Sequence, residues 1–170
     1  MNLVRFPNKV LAEPTKNVEA FDEGLRSFAE QLTWVMYGKP VEGKSDDPIG
    51  VGLAAPQVGD SRRIIVVESA HMFSSAREPL VLVNPRLTFQ SPEMCVDVEG
   101  CLSLPGVELS IARSKFVVVE YQDVEGNVHS REAANFFARV IQHEIDHLDG
   151  ITMLDKVNRK LRKIALKRLK

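Results

Sequence analysis

His143-Glu144-Ile145-Asp146-His147, followed by Leu148-Asp149-Gly150, is the stretch from which both fold and chemistry are read. Residues four apart share one face of a helix, so the imidazoles of His143 and His147 can reach a single cation. Phe136, Phe137, Val140, Ile141, Ile145 and Leu148 have the spacing of a helix turned toward a core. A helix is therefore expected over 131–148, with Gly150 as its C-terminal cap. A surface helix that merely carries two histidines is the plainer reading. The Glu between them and the apolar surroundings argue against it. Glu144 follows the first imidazole directly and points partly away from the cation, where it can meet a bound water. A metal lowers the pKa of such a water to about 7. A carboxylate beside it can take a proton and pass it to a leaving amine. Asp146 and Asp149 are candidates for holding the histidines from behind.

Two imidazoles need a third ligand, and no histidine follows the helix. Upstream, Glu99-Gly100-Cys101-Leu102-Ser103 sets a thiol among small residues at the edge of an expected strand. Cys101 then completes a His2Cys set with one position open, the feature that separates catalytic from structural sites. Taken alone, Cys101 reads as an inert buried cysteine; beside the helix motif it reads as a ligand. Cys95 has no such context and reads as packing. A disulfide between the two would leave the histidines without their partner. A copper electron-transfer centre could share this ligand set, but it has no use for Glu144.

Further out, Phe21, Leu25, Phe28, Leu32 and Val35 predict an amphipathic helix over 22–37, stopped by Gly38-Lys39-Pro40. Residues 43–48 are turn-rich and expected to form a mobile loop. Gly50-Val51-Gly52-Leu53-Ala54-Ala55-Pro56-Gln57 is small and apolar. It lacks the Gly-Lys-Ser/Thr of a phosphate loop. Strands are expected over 63–68, 80–84 and 116–121, with a turn at 123–127 leading to a partner strand near 128–130. Strands in the middle and helices at both ends give an α+β layout. One domain spans 1–170, its mixed or antiparallel sheets packed around the metal-binding helix.

The chain has 170 residues, 44% hydrophobic and 26% charged, enough for one sizeable core. No apolar run is long enough to span a bilayer, and the N-terminus has no secretory pattern, so a cytoplasmic protein without membrane contact is expected. The net charge of -1 hides an asymmetry. Residues 156–170 carry 8 of the 22 basic residues and no acid, leaving 14 basic against 23 acidic residues elsewhere. Leu154, Val157, Leu161, Ile164 and Leu169 mark one apolar face, so the tail is expected to be a basic C-terminal helix. Such a helix either packs with a solvated positive face or contacts RNA phosphates.

The segments Gly50–Gln57, Glu99–Ser103 and His143–Gly150, in this order and spacing, resemble the three signature motifs of peptide deformylases. The resemblance covers the chain from Ile49 to Gly150. It implies hydrolysis of the formyl group from N-formylmethionyl nascent peptides, with release of formate. It implies one divalent metal on Cys101, His143 and His147: Fe(II) natively, with Zn(II), Ni(II) or Co(II) able to substitute. Glu144 would move protons, while Gln57 and the backbone N–H of Leu102 would stabilise the oxyanion. The Gly52 backbone would pair with substrate, and Val51, Phe136 and Val140 would line a methionine pocket. The basic tail would dock on the ribosome. The loop 39–47 is longer than in the short forms. The competing readings are an HExxH metalloendopeptidase, which Cys101 and the Gly50–Gln57 segment argue against, and a non-catalytic metal- or RNA-binding module, which has no need of Glu144 or Gln57.

Overall fold

The computed structural model describes residues 1–38, 50–69 and 78–169. The loops expected at 39–47 and 43–48 lie outside them. In chain order the main elements are α1 (Glu23–Met36), β1 (Gly52–Ala54), β2 (Ile64–Glu68), β3 (Pro79–Gln90), β4 (Met94–Gly100), β5 (Glu108–Ser114), β6 (Phe116–Gln122), β7 (Val128–Ala134), α2 (Asn135–Leu148) and α3 (Arg159–Arg168). Five strands form a sheet in the order β1-β2-β3-β6-β7, antiparallel throughout. β4 and β5 form a separate antiparallel ribbon. The fold is α+β, as the element order predicts.

β2 explains why its sequence, Ile-Ile-Val-Val, is apolar without alternation. Ile65 and Val67 enter one core with Val140, Ile141, Ile145 and Leu148 of α2. Ile64 and Val66 enter a second core with Leu25, Phe28, Leu32 and Val35 of α1. A strand covered on both faces reads as a continuous hydrophobic run. Each such side chain contributes about 1.5–3 kcal/mol on burial. Asp22 starts α1 by accepting the Leu25 N–H at 2.9 Å.

α2 packs on the sheet with its apolar face and meets β5 of the ribbon as well. That second cover buries its polar residues Arg139, Gln142, His143, Glu144 and His147 too. The helix that carries His143 and His147 is therefore central, as expected, but it starts later than 131. Residues 131–134 instead complete β7, whose register runs to Ala134 opposite Phe116. Asn135 then turns the chain at φ +55°, its N–H donating to Lys115 O at 2.7 Å. Asn tolerates this region better than most residues. Gly150 closes the helix as expected, at φ +72°, where a Cβ would lie 2.9 Å from the Ala12 backbone.

Two surface readings are corrected. Cys95 is exposed, on a strand that among the described residues pairs only with β5. α3 docks on the third core through Ala165, with Leu166, Leu169 and Val157 partly buried against Leu104, Ile111 and Leu154. Leu161 and Ile164 remain 41% and 46% exposed. The small Ala165 lets the second half of α3 approach, and the first half stands away. No helix among the described residues is long and apolar enough to cross a membrane.

Candidate active site

Cys101 leaves the end of β4 and meets α2 where His143 and His147 share one face. One potential ligand atom from each of the three lies within 4.8 Å of the others. Cys101 Sγ is 3.3 Å from His147 Nε2. His143 Nδ1 is taken by Glu99 Oε2 at 2.9 Å, which leaves Nε2 as its ligand atom. A soft thiolate with two imidazoles is a donor set that suits a transition-metal ion. Glu144 Oε2 is buried without a hydrogen-bond partner beside this cluster, as is His147 Nδ1 on the ring side away from the thiol; each is costly unless water completes it. The three residues therefore fit the expected metal.

Burial sets the electrostatics. It holds the Glu144 carboxyl up at about 7, with His143 and Arg113 pulling the other way. Burial also keeps His147 neutral, its pKa well below the ordinary imidazole value, and the neighbouring His143 adds to this. For His143 burial works in the same direction, but hydrogen bonds to Cys101 and Glu99 outweigh it and raise the pKa. Glu99 would likewise be raised by burial. Its bonds to Arg113 and His143 instead hold it well below the usual carboxylate range.

Gln57 is 2% exposed and fixed from both ends. Its Oε1 accepts the Ala54 N–H at 2.8 Å, and its Nε2 faces Cys101 Sγ at 3.5 Å and Ser103 Oγ at 3.4 Å. Leu102 is partly buried beside the thiol. A cavity of about 670 Å³ opens over these groups, with Val51, Gly52, Phe136, Val140 and Glu144 in its wall. Val51 and Phe136 are each 42% exposed and Val140 is 7% exposed, so the wall passes from open to enclosed toward α2. Gly52 lies so close to α2 that a Cβ would sit 2.5 Å from Glu144 Oε1. The ten residues to which the resemblance gives a role thus meet at one place.

The outer supports differ from expectation. Asp149 pairs with Arg63, and Asp146 accepts from Arg113 and from Lys156, the latter at 2.9 Å. Neither hydrogen-bonds a histidine. That work falls to Glu99, which Arg113 grips through Nε and Nη2, both at 2.9 Å, and Arg139 through Nη1 at 2.6 Å. The available signal was a charge two residues before the thiol, on the strand face that turns inward.

A family model described as polypeptide deformylase matches residues 1–163. A peptide deformylase from Synechocystis is 38% identical over 154 residues, covering 91% of this chain and 77% of the relative. One from Desulfotalea psychrophila is 36% identical over 170 residues, covering 100% and 95%. A crystal structure of a peptide deformylase from Synechococcus elongatus superposes with a TM-score of 0.85 at 38% identity, over 98% of this chain and 85% of that one. With sequence, fold and the Cys-His-His cluster in agreement over nearly its full length, the chain belongs to the polypeptide deformylase family.

Proposed function

We propose that Cys101, His143 and His147 hold one divalent metal ion, and that Glu144, Gln57 and the Leu102 N–H act on a formamide bound beside it. The chain is a metal-dependent hydrolase that removes the formyl group from the N-terminal formylmethionine of newly made peptides and releases formate. Nothing in the site or in its relatives favours the endopeptidase reading. The observation that carries the assignment is the convergence of one thiol and two imidazoles within 4.8 Å beside a buried glutamate. When bound, the ion supplies a Lewis acid that activates water near neutral pH. We assign Fe(II) as the native ion, with Zn(II), Ni(II) or Co(II) able to replace it.

Glu144, with its carboxyl near 7, is suited to accept a proton from the attacking water and return it to the departing amine. Gln57 Nε2 is anchored before reaction and donates to the developing oxyanion, with the Leu102 N–H as second donor. Loss of one such donor costs about 100- to 1000-fold in rate. β1 is an edge strand, and β4 pairs only with β5 among the described residues. An extended peptide can add between them, pairing with the Gly52 backbone. Such pairing holds many sequences without reading them. Val51, Phe136 and Val140 then receive the methionine side chain.

The whole of 1–170 is assigned to one cytoplasmic catalytic domain with a basic C-terminal segment at 156–170. We assign that segment to ribosomal RNA. In support, Arg159, Lys160, Lys163, Lys167 and Arg168 are exposed, while Ala165 holds α3 to the body. Replacing the exposed Arg159, Lys160, Lys163 and Lys167 by Gln, which leaves Ala165 docked, is expected to weaken ribosome binding, most at low salt, and to spare hydrolysis of a small peptide. Unchanged binding at low salt would end this assignment. The activity itself is tested by formate release from formyl-Met-Ala with protein loaded anaerobically with Fe(II) or Ni(II). Glu144→Ala should keep the metal and lose turnover. A folded, metal-loaded protein that releases no formate would reject the mechanism.

A further inference from the structure

Arg139 stands one helical turn before His143 and on the same face of α2. It is 5% exposed. Its guanidinium spends its donors on three acceptors from two strands: Glu99 Oε1 at 2.6 Å and Cys95 O at 2.6 Å on β4, and Ile111 O at 2.8 Å on β5. It therefore straps both strands of the ribbon to the helix that carries the histidines.

Glu99 is where this strap meets the site. A carboxylate offers about four acceptor positions. Oε1 takes Arg113 Nε and Arg139 Nη1; Oε2 takes Arg113 Nη2 and His143 Nδ1. All the positions are used, so the carboxylate has one orientation. Arg113 reaches both oxygens through Nε and Nη2 while its Nη1 is held by Asp146, and Arg139 adds a second, independent anchor on Oε1 from α2 itself. Without Arg139, Oε1 loses one of two donors and the ribbon loses three of its hydrogen bonds to α2.

We propose that Arg139 is a positioning residue for the metal centre, fixing Glu99 so that its other oxygen aims His143 at the ion. This rests on His143 being a ligand, as assigned above. Partners that orient a metal-bound histidine typically account for 10- to 100-fold in metal affinity. Arg139 is absent from the sequence-derived site because a charged residue in an apolar helical stretch reads as solvated.

The test uses the full chain loaded with Co(II), in wild type, Arg139→Met and Arg139→Lys. Met keeps an unbranched apolar stem and removes the fork; Lys keeps the charge with its donors on one atom. Arg139→Met should lose Co(II) to a competing chelator at 10- to 100-fold lower concentration, with a shifted visible Co(II) band and a fall in kcat larger than any change in KM. Arg139→Lys should recover part of each. A folded Arg139→Met with wild-type affinity and band overturns the proposal. If Arg139→Met does not fold, Arg139→Lys decides: a weakened site supports it, and wild-type affinity and band overturn it. A wild-type protein that binds no Co(II) would sink the metal assignment itself, a result separable from an unaffected variant.

Discussion

Gly52→Ala is the most direct probe of how tightly β1 and Glu144, the proposed proton carrier, are packed. A Cβ at this position would lie 2.5 Å from Glu144 Oε1, 2.8 Å from Val140 Cγ1 and 2.9 Å from Glu144 Cγ. The first distance is about 0.9 Å inside the 3.4 Å at which ordinary contact begins. Gly52 is pinned by its pairing with Val67, and Glu144 lies on the central helix, so the glutamate side chain has to yield. A displacement on the order of 1 Å in a catalytic group costs on the order of 100-fold in rate. Overpacking a filled core costs about 1–3 kcal/mol. For a domain of this size each kcal/mol lowers Tm by about 2–4 °C. Formate release from formyl-Met-Ala and calorimetry on the same sample give both numbers. The expected result is a fall of about 100-fold in kcat with a loss of about 2–12 °C in Tm. A raised KM at unchanged kcat would mean that the methyl blocks the peptide rather than Glu144. Wild-type kinetics and Tm together would refute the close-packing argument.

Glu144 also predicts a pH dependence in the metal-free protein. Burial raises its carboxyl from 4.5 to about 7, so the folded state keeps a proton that the unfolded chain gives up. Stability from this source is complete below about pH 4.5 and lost as pH rises through about 7, on the order of 3 kcal/mol in all. Glu144→Gln should therefore match wild type near pH 4.5 and melt higher at pH 8 in the presence of chelator; parallel curves would reject this. Asp155 accepts from Thr152 N and Oγ1 at 2.9 and 2.8 Å and from Arg162 at 2.7 Å, tying α3 to the turn before it. Burial would raise its carboxyl, but the Thr152 and Arg162 bonds outweigh it and lower the pKa from 3.8. Its stabilisation is present above that value and lost as pH falls through the lowered one. Asp155→Ala should cost about 1 kcal/mol and speed amide exchange in α3; unchanged exchange would show the clamp to be idle.

The parts legible from sequence are those where one local pattern answers to one environment. α1 has a single apolar stripe and a capping Asp22, and β2 is an unbroken run because both its faces are covered. His143, Glu144 and His147 announce themselves because no ordinary packing role requires them together. β1 and β4 were less visible. β1 has three residues, too few to show a period. β4 has no apolar buried face: Met94, Val96 and Val98 point to solvent and Glu99 points inward, the reverse of the usual pattern. That inversion also hid the role of Glu99. Its partners Arg113 and Arg139 come from β5 and α2, and the long-range contacts that make such charges tolerable inside leave no trace in local spacing. The start of α2 was misjudged because Arg131 to Ala134 suit a helix, and only pairing with β6 makes them strand.

The open edge of β4 has a cost outside catalysis. Most proteins guard such edges with lysine, proline or a covering loop. Here Met94, Val96 and Val98 are 53%, 67% and 56% exposed along it. An edge that has no strand partner among the described residues, and that is proposed to accept a peptide, also accepts a second ribbon of its own kind. Concentrated, peptide-free protein is thus expected to self-associate first along β4, and a bound substrate-like peptide should keep it monomeric.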